Sequence, residues 1–304
     1  MPRPASQTGL LLLIAGAAID STSGLFTRLI PDDGFTIASG RGFAAFALLF
    51  LVLLVRDRGG FLKSFLGIGF WGAAFVVLNG AGMVTNILSL ANTSVANFFM
   101  IFATAPFVAA IAARLLIAEK LDLATLLAAI AGFIGIAVMM ASGARSGGLT
   151  GDILAFVCVL LYAAIVLVIR RNPHLDILPV IALTVLLSGL LALPFADFGT
   201  LSVSSALTLT FFGFFQLAIG NMLIFSAASR IPAAQSGLLG ILNAGFAPLW
   251  VFLFLGEVPP PATLLGGAII LGAAVAHLLW SIANARRAAT RGQASATASI
   301  EMPL

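Results

Sequence analysis

The chain has 304 residues, 61% of them hydrophobic and only 9% charged, with a formal net charge of +4. A soluble domain carries roughly 25% charged residues, so this chain cannot cover a water-facing surface, and its apolar runs of about 20 residues need lipid. The positive balance does not mark a nucleic-acid binder, because the 15 Lys and Arg sit mostly at the ends of apolar runs and form no patch. The single Cys158 excludes an intrachain disulfide and suggests no metal cluster.

Hydropathy predicts an all-α membrane protein of ten transmembrane helices, at 9–30, 35–55, 65–90, 94–117, 122–141, 151–170, 176–195, 205–228, 232–255 and 261–283. Breakers such as Pro31-Asp32-Asp33-Gly34, Asn172-Pro173 and Pro259-Pro260-Pro261 separate them. In the first helix, Arg3, the run Leu10–Ile14 and Ala15-Gly16-Ala17 also have the shape of a secretory signal. The alignment of 9–28 with 151–170 favours a repeat member instead.

The first helix carries Asp20 near its middle, about ten residues or ~15 Å from either end at 1.5 Å per residue. A carboxylate at that depth costs on the order of 2.5–3.5 kcal/mol on insertion scales, so it needs a pathway, a partner or a proton. Asp20 is therefore the candidate coupling residue or ammonium anchor; the bland alternative is a carboxyl capped by Ser21, Thr22 or Ser23. Arg28 and Arg41 lie nearer the helix ends and read as snorkelling anchors.

In the third helix Asn79, Gly82, Asn86, Ser89 and Thr93 recur every three or four positions and form one polar stripe. The fourth adds Asn97 and Thr104, with Pro106 inside its apolar run. Tyr162, Gln216, Gln235 and Asn243 extend the polar set into the second half, and Trp250 shares the face of Asn243. Amides facing lipid would leave donors and acceptors unpaired, so these side chains face protein or water. Either they glue helices together or they line a cavity; Asn79, Asn86, Asn97, Tyr162, Gln216, Gln235, Asn243 and Trp250 are the substrate-binding candidates. Pro106, Pro248, Gly240 and Gly245 are candidate hinges, since proline frees a backbone carbonyl and glycine softens a helix. The small-residue faces of the fifth helix (Ala128, Gly132, Gly135) and the tenth (Gly266, Gly267, Gly272, Ala276) read as packing surfaces, within the chain or between two copies. A monomer and a homodimer are both compatible with them.

The chain repeats itself. An offset of 138 positions pairs Glu119 with Glu257, Gly82 with Gly220, Ala96 with Ala234 and Thr125 with Thr263. The expected layout is a cytoplasmic N-terminus at 1–8, five-helix repeats at 9–143 and 149–284, and a disordered cytoplasmic tail at 285–304. With the N-terminus inside, twelve of the 15 Lys and Arg fall on the cytoplasmic side, and only Arg28, Arg41 and Arg145 fall toward the outside. An odd number of helices between the copies inverts one repeat against the other, as in alternating-access carriers whose site lies at the repeat interface.

With Leu255-Gly256-Glu257 closing the ninth helix, Ala118-Glu119 closing the fourth and Gly-rich helices after each, the chain resembles the drug/metabolite transporter superfamily in its ten-helix EamA-like branch. The resemblance covers essentially 5–285 and is greatest toward the amino-acid exporter group. It implies export of small metabolites across the bacterial inner membrane, from a central cavity between the repeats. One departure is Ala118 where the second repeat has Gly256, and Glu119 and Glu257 read as structural.

The expected function is thus secondary export of amino acids or similar small amphipathic metabolites, without a cofactor, in contact with membrane lipid and a small-molecule substrate and not with nucleic acid. There is no Gly-x-x-x-x-Gly-Lys-Ser/Thr loop for ATP. The alternative is export of cationic drugs or quaternary ammonium compounds, which Asp20 supports. An intramembrane enzyme is the alternative from another class, but His174 and His277 are the only imidazoles and no His-Glu-x-x-His site exists.

Overall fold

The computed structural model describes residues 7–58, 60–118, 121–146, 148–172, 175–228, 230 and 238–300. Helix dominates, and no strand occurs among the described residues. In chain order the helices are α1 (Gln7–Asp20), α2 (Ser23–Leu29), α3 (Gly34–Asp57), α4 (Phe61–Leu66) and α5 (Gly69–Asn92). Then come α6 (Val95–Phe102), α7 (Ala105–Ile117), α8 (Leu123–Ser146), α9 (Leu149–Arg171) and α10 (Ile177–Ala192). Next, α11 (Val203–Phe212) continues through a π-helical stretch, Gly213–Gly220, into α12 (Asn221–Ala228), and the chain finishes with α13 (Leu238–Leu255) and α14 (Pro261–Ile300).

Nine helical segments among the described residues are long and apolar enough to cross a membrane, and Leu239–Leu255 is a shorter apolar helix. The expected helix 232–255 begins in residues outside the described set, which also contain Glu119, Gln235, Ser236 and Gly237. The last helix continues to Ile300, where composition leads one to expect a disordered tail. Alanine recurs through that segment (Ala285, Ala288, Ala289, Ala294, Ala296, Ala298), and alanine is the strongest helix former.

Two transmembrane segments are broken where a single helix is expected. The first divides at Ser21–Thr22, between α1 and α2; the fourth divides at Ala103–Thr104, between α6 and α7. Pro106 lies in the first turn of α7, where its missing N–H costs nothing, so it starts a helix here and does not kink one. Pro248 stays inside α13.

Three of the packed pairs join a helix to its counterpart in the other repeat: α3 with α10, α8 with α14, and α6 with α13. The cross pairs match as well, since α5 packs on α9 as the π-helical stretch and α12 pack on α1. Small residues make the α8–α14 contact possible. A Cβ on Gly135 would meet the Gly266 carbonyl oxygen at 2.7 Å, and one on Gly266 would meet the Gly135 carbonyl oxygen at 2.6 Å. Gly135 and Gly266 therefore pack backbone on backbone within one chain, while Gly132 meets Thr104 and Gly267 meets Met100. Leu, Ile and Phe side chains elsewhere on α3, α5, α8 and α14 remain exposed, the expected pattern for a surface solvated by acyl chains.

Candidate functional site

The breaks and the π-helical stretch converge on one place. A cavity of about 290 Å³ lies among α1, α2, α3, α5, α6, α7, α9, α12, α13 and the π-helical stretch. Its polar wall holds Asp20, Arg41, Asn79, Asn86, Tyr162, Gln216, Asn221 and Asn243; Phe75, Phe98, Phe99 and Phe102 supply much of the apolar wall. Pro106 and Gly240 also line it.

Asp20 ends α1 at the helix break, is half-buried, and lines the cavity. Gln216 Nε2 donates to Asp20 Oδ1 at 2.8 Å, and Asn243 Nδ2 donates to Oδ2 at 2.8 Å. The two amides come from the second half of the chain, so the carboxylate joins the repeats. The carbonyls freed by the break are also met: Ser21 Oγ donates to Ala18 O at 2.9 Å and Thr22 Oγ1 to Ile19 O at 2.6 Å. Trp250 Nε1 donates to Ser21 Oγ at 3.0 Å and to Ala18 O at 3.2 Å. Ser21 and Thr22 therefore cap the broken helix and not the Asp20 carboxyl. Backbone polar groups inside lipid must find partners, and this set supplies them.

Arg41 departs from its expected place at the interface. It is 1% exposed, lines the cavity, and its guanidinium lies 5.1 Å from the ring centroid of Phe212. Its Nη2 donates to Met83 O at 2.9 Å and its Nη1 to Gln216 Oε1 at 3.4 Å. Gln216 thus stands between guanidinium and carboxylate, accepting from one and donating to the other. Close approach of α3 to the π-helical stretch permits this: a Cβ on Gly213 would lie 2.4 Å from the Arg41 carbonyl oxygen. Neither the buried state of Arg41 nor the π-helical turn that presents Gln216 has a sequence signal beyond Gly213 itself. Insertions of this kind recur at functional sites because they redirect side chains.

Asn79 and Asn86 line the cavity from α5, and neither side chain has a hydrogen-bond partner among the described residues. Their amides are available to a ligand. Tyr162 faces them from α9, its ring 5.5 Å from that of Phe102. Two predicted residues lie elsewhere. Trp250 supports the α1 break from outside the cavity, and Asn97 turns away into a second polar cluster. Gly245 and Pro248 do not line the cavity, and Gln235 lies outside the described residues.

That second cluster centres on Asp152, which sequence reasoning passed over because it opens an apolar helix. Asp152 is fully buried; its Oδ1 accepts from Thr93 Oγ1 at 2.6 Å and from Asn97 Nδ2 at 3.0 Å, while Asn97 Oδ1 accepts from Thr263 Oγ1. Beside it, Arg28 is bonded to Leu90 O and Thr93 O, each at 2.7 Å, and to Glu257 Oε2 at 3.2 Å. Glu257 Oε1 accepts from Val95 N at 3.4 Å, so it caps α6. Arg28 is thus tied to the end of α5 and to the segment after α13, and is no free interface anchor. This end of the bundle is closed, with Leu90 and Val95 without exposed surface. The cavity extends the other way, toward Ile165 and Ile169 near the end of α9 and Phe75 near the start of α5.

Comparison with known proteins agrees with this architecture. A solved structure described as "Crystal structure of protein" matches with a TM-score of 0.63 and 17% identity, over 90% of this chain and 98% of its own. At that identity the likeness shows the fold alone. No curated protein matches. The model of the EamA-like transporter family matches twice, over residues 7–141 and 149–279. These two matches cover nearly all of the membrane-embedded chain, which belongs to the EamA-like transporter family.

Proposed function

We propose that the chain is a secondary transporter that exports amino acids or similar small zwitterions across the bacterial inner membrane by alternating access. The observation that carries the reading is the cavity. It places one carboxylate, one guanidinium and the amides of Asn79 and Asn86, unpaired among the described residues, in a largely apolar chamber of about 290 Å³. Ligand pockets run from roughly 300 Å³ upward, so this one suits a small metabolite. Closure at the Arg28–Glu257 end and extension of the cavity toward the other end support one of two alternating states. With ten helices, inverted repeats and both termini in the cytoplasm, as the basic residues indicate, this is the inward-facing state.

The second reading, export of cationic drugs or quaternary ammonium compounds, draws on the half-buried Asp20 that lines the cavity. Counterflow in proteoliposomes decides between them. Saturable uptake of labelled neutral amino acids, competed by unlabelled amino acid and not by quaternary ammonium ions, is the expected result. The opposite competition pattern selects the drug reading, and growth protection of overexpressing cells against toxic analogues tests the direction.

A further inference from the structure

We propose that Arg41 sets the charge of the ligand: it balances Asp20, makes the cavity electrically neutral, and so selects a net-neutral zwitterion over a bare cation. The inference rests on the transporter reading above and names the residue that decides substrate class.

Asp20 and Arg41 are the only charged side chains lining the cavity among the described residues. Arg41 is 1% exposed, and among the described residues its hydrogen-bond partners are an amide and a backbone carbonyl, its face lies near the Phe212 ring, and no carboxylate is in direct contact. A guanidinium at that depth is costly unless an anion offsets it nearby. Asp20 is that anion, one amide away. Gln216 can bridge the two in one orientation only, oxygen toward Arg41 and nitrogen toward Asp20, because guanidinium only donates and carboxylate only accepts.

A ligand ammonium group reaching Asp20 from the cavity competes for the negative charge that offsets Arg41. In a low-dielectric chamber the excess positive charge then needs a new anion. A zwitterion brings one on the same molecule, and the amides of Asn79 and Asn86 can donate to its carboxylate. A monocation brings none and leaves the chamber with a net charge of about +1, by the energetics of unpaired intramembrane charge. Without Arg41 that penalty disappears, and the cavity becomes a cation site centred on Asp20.

The test uses the full chain in proteoliposomes with three probes of similar shape: L-phenylalanine (zwitterion), L-phenylalaninamide (cation) and N-acetyl-L-phenylalanine (anion). The wild type is expected to prefer phenylalanine over its amide at least tenfold in counterflow. Arg41→Gln should shift that ratio at least tenfold toward the amide, Arg41→Lys should retain the wild-type order, and Asp20→Asn should shift preference toward the N-acetyl anion. A folded Arg41→Gln protein with an unchanged ratio overturns the proposal. If Arg41→Gln does not fold, Asp20→Asn decides: movement toward the anion supports the charge balance, and an unchanged ratio overturns it. A wild type that carries the amide better than phenylalanine overturns the role of Arg41 and leaves the transporter reading intact. One that carries none of the three overturns both.

Discussion

Arg28 on α2 and Glu257 beyond α13 form an ion pair 3.2 Å long between residues 229 positions apart. Each side chain is a little over a quarter exposed, and pairs of that kind contribute about 0–1 kcal/mol. The two partners are nevertheless not equivalent. Arg28 also donates to Leu90 O and Thr93 O at the end of α5, whereas Glu257 otherwise accepts, among the described residues, only a 3.4 Å bond from Val95 N. Arg28→Ala should therefore lower the thermal unfolding temperature more than Glu257→Gln. The charge-swapped double variant should not restore it, because a carboxylate at position 28 would face two carbonyl oxygens. Thermal unfolding followed by size-exclusion chromatography measures both outcomes.

Asp152 makes a different case. Both of its donors, Thr93 and Asn97, address the same oxygen, and Oδ2 has no hydrogen-bond partner among the described residues. Asp152→Asn keeps an acceptor in that place and should be mild. Asp152→Leu strands two buried donors at about 1–3 kcal/mol each and should destabilise strongly. Equal unfolding temperatures for the two variants would show that the carboxylate charge, and not its acceptor, holds α9 to α5 and α6.

Trp250 is hydrogen-bonded to the broken helix through its indole N–H. Trp250→Phe keeps an aromatic ring beside Phe246 and Phe254 and removes the donor to Ser21 Oγ and Ala18 O. Polar contacts between transmembrane helices are worth about 1 kcal/mol, so the protein should fold with slightly reduced stability. Its transport rate should fall more than its expression, because the break that presents Asp20 loses an anchor. Counterflow normalised to folded protein tests this.

Glycine substitutions should separate packing from motion. Gly266→Ala places a methyl 2.6 Å from the Gly135 carbonyl oxygen and Met139 Cγ, and should prevent assembly of α8 on α14. A Cβ on Gly245 meets nothing within 4 Å, and alanine is the better helix former by about 1 kcal/mol. Gly245→Ala should therefore be as stable as the wild type or more so. A fall in turnover without a fall in stability would identify α13 as a bending element; unchanged turnover would remove Gly245 from the hinge candidates.

The lining of the cavity is partly legible in the sequence. Asn79 and Asn86 announced themselves because amides every three or four positions in an apolar helix make a stripe, and Asp20 because a carboxylate in mid-membrane needs a reason. Asn97 carried the same signal yet serves Asp152, since periodicity tells which residues share a face and not what that face meets. Arg41 was misread for the converse reason. Its position near a helix end suggests snorkelling, but the contact of α3 with Gly213 buries it. Pro106 suggests a bend within one helix, whereas the chain uses the proline to begin α7 after a break at Ala103–Thr104.

Composition and internal repetition by themselves determined that this is a helical membrane protein with two related halves, because lipid admits few solutions for a backbone so poor in charge. Only the tertiary structure decided which polar groups meet. Asp20, Gln216 and Arg41 come from three different helical segments, and their alignment depends on a helix break, a π-helical turn and one close glycine contact. Such geometry arises from packing between segments, and no local pattern in any one of them encodes it.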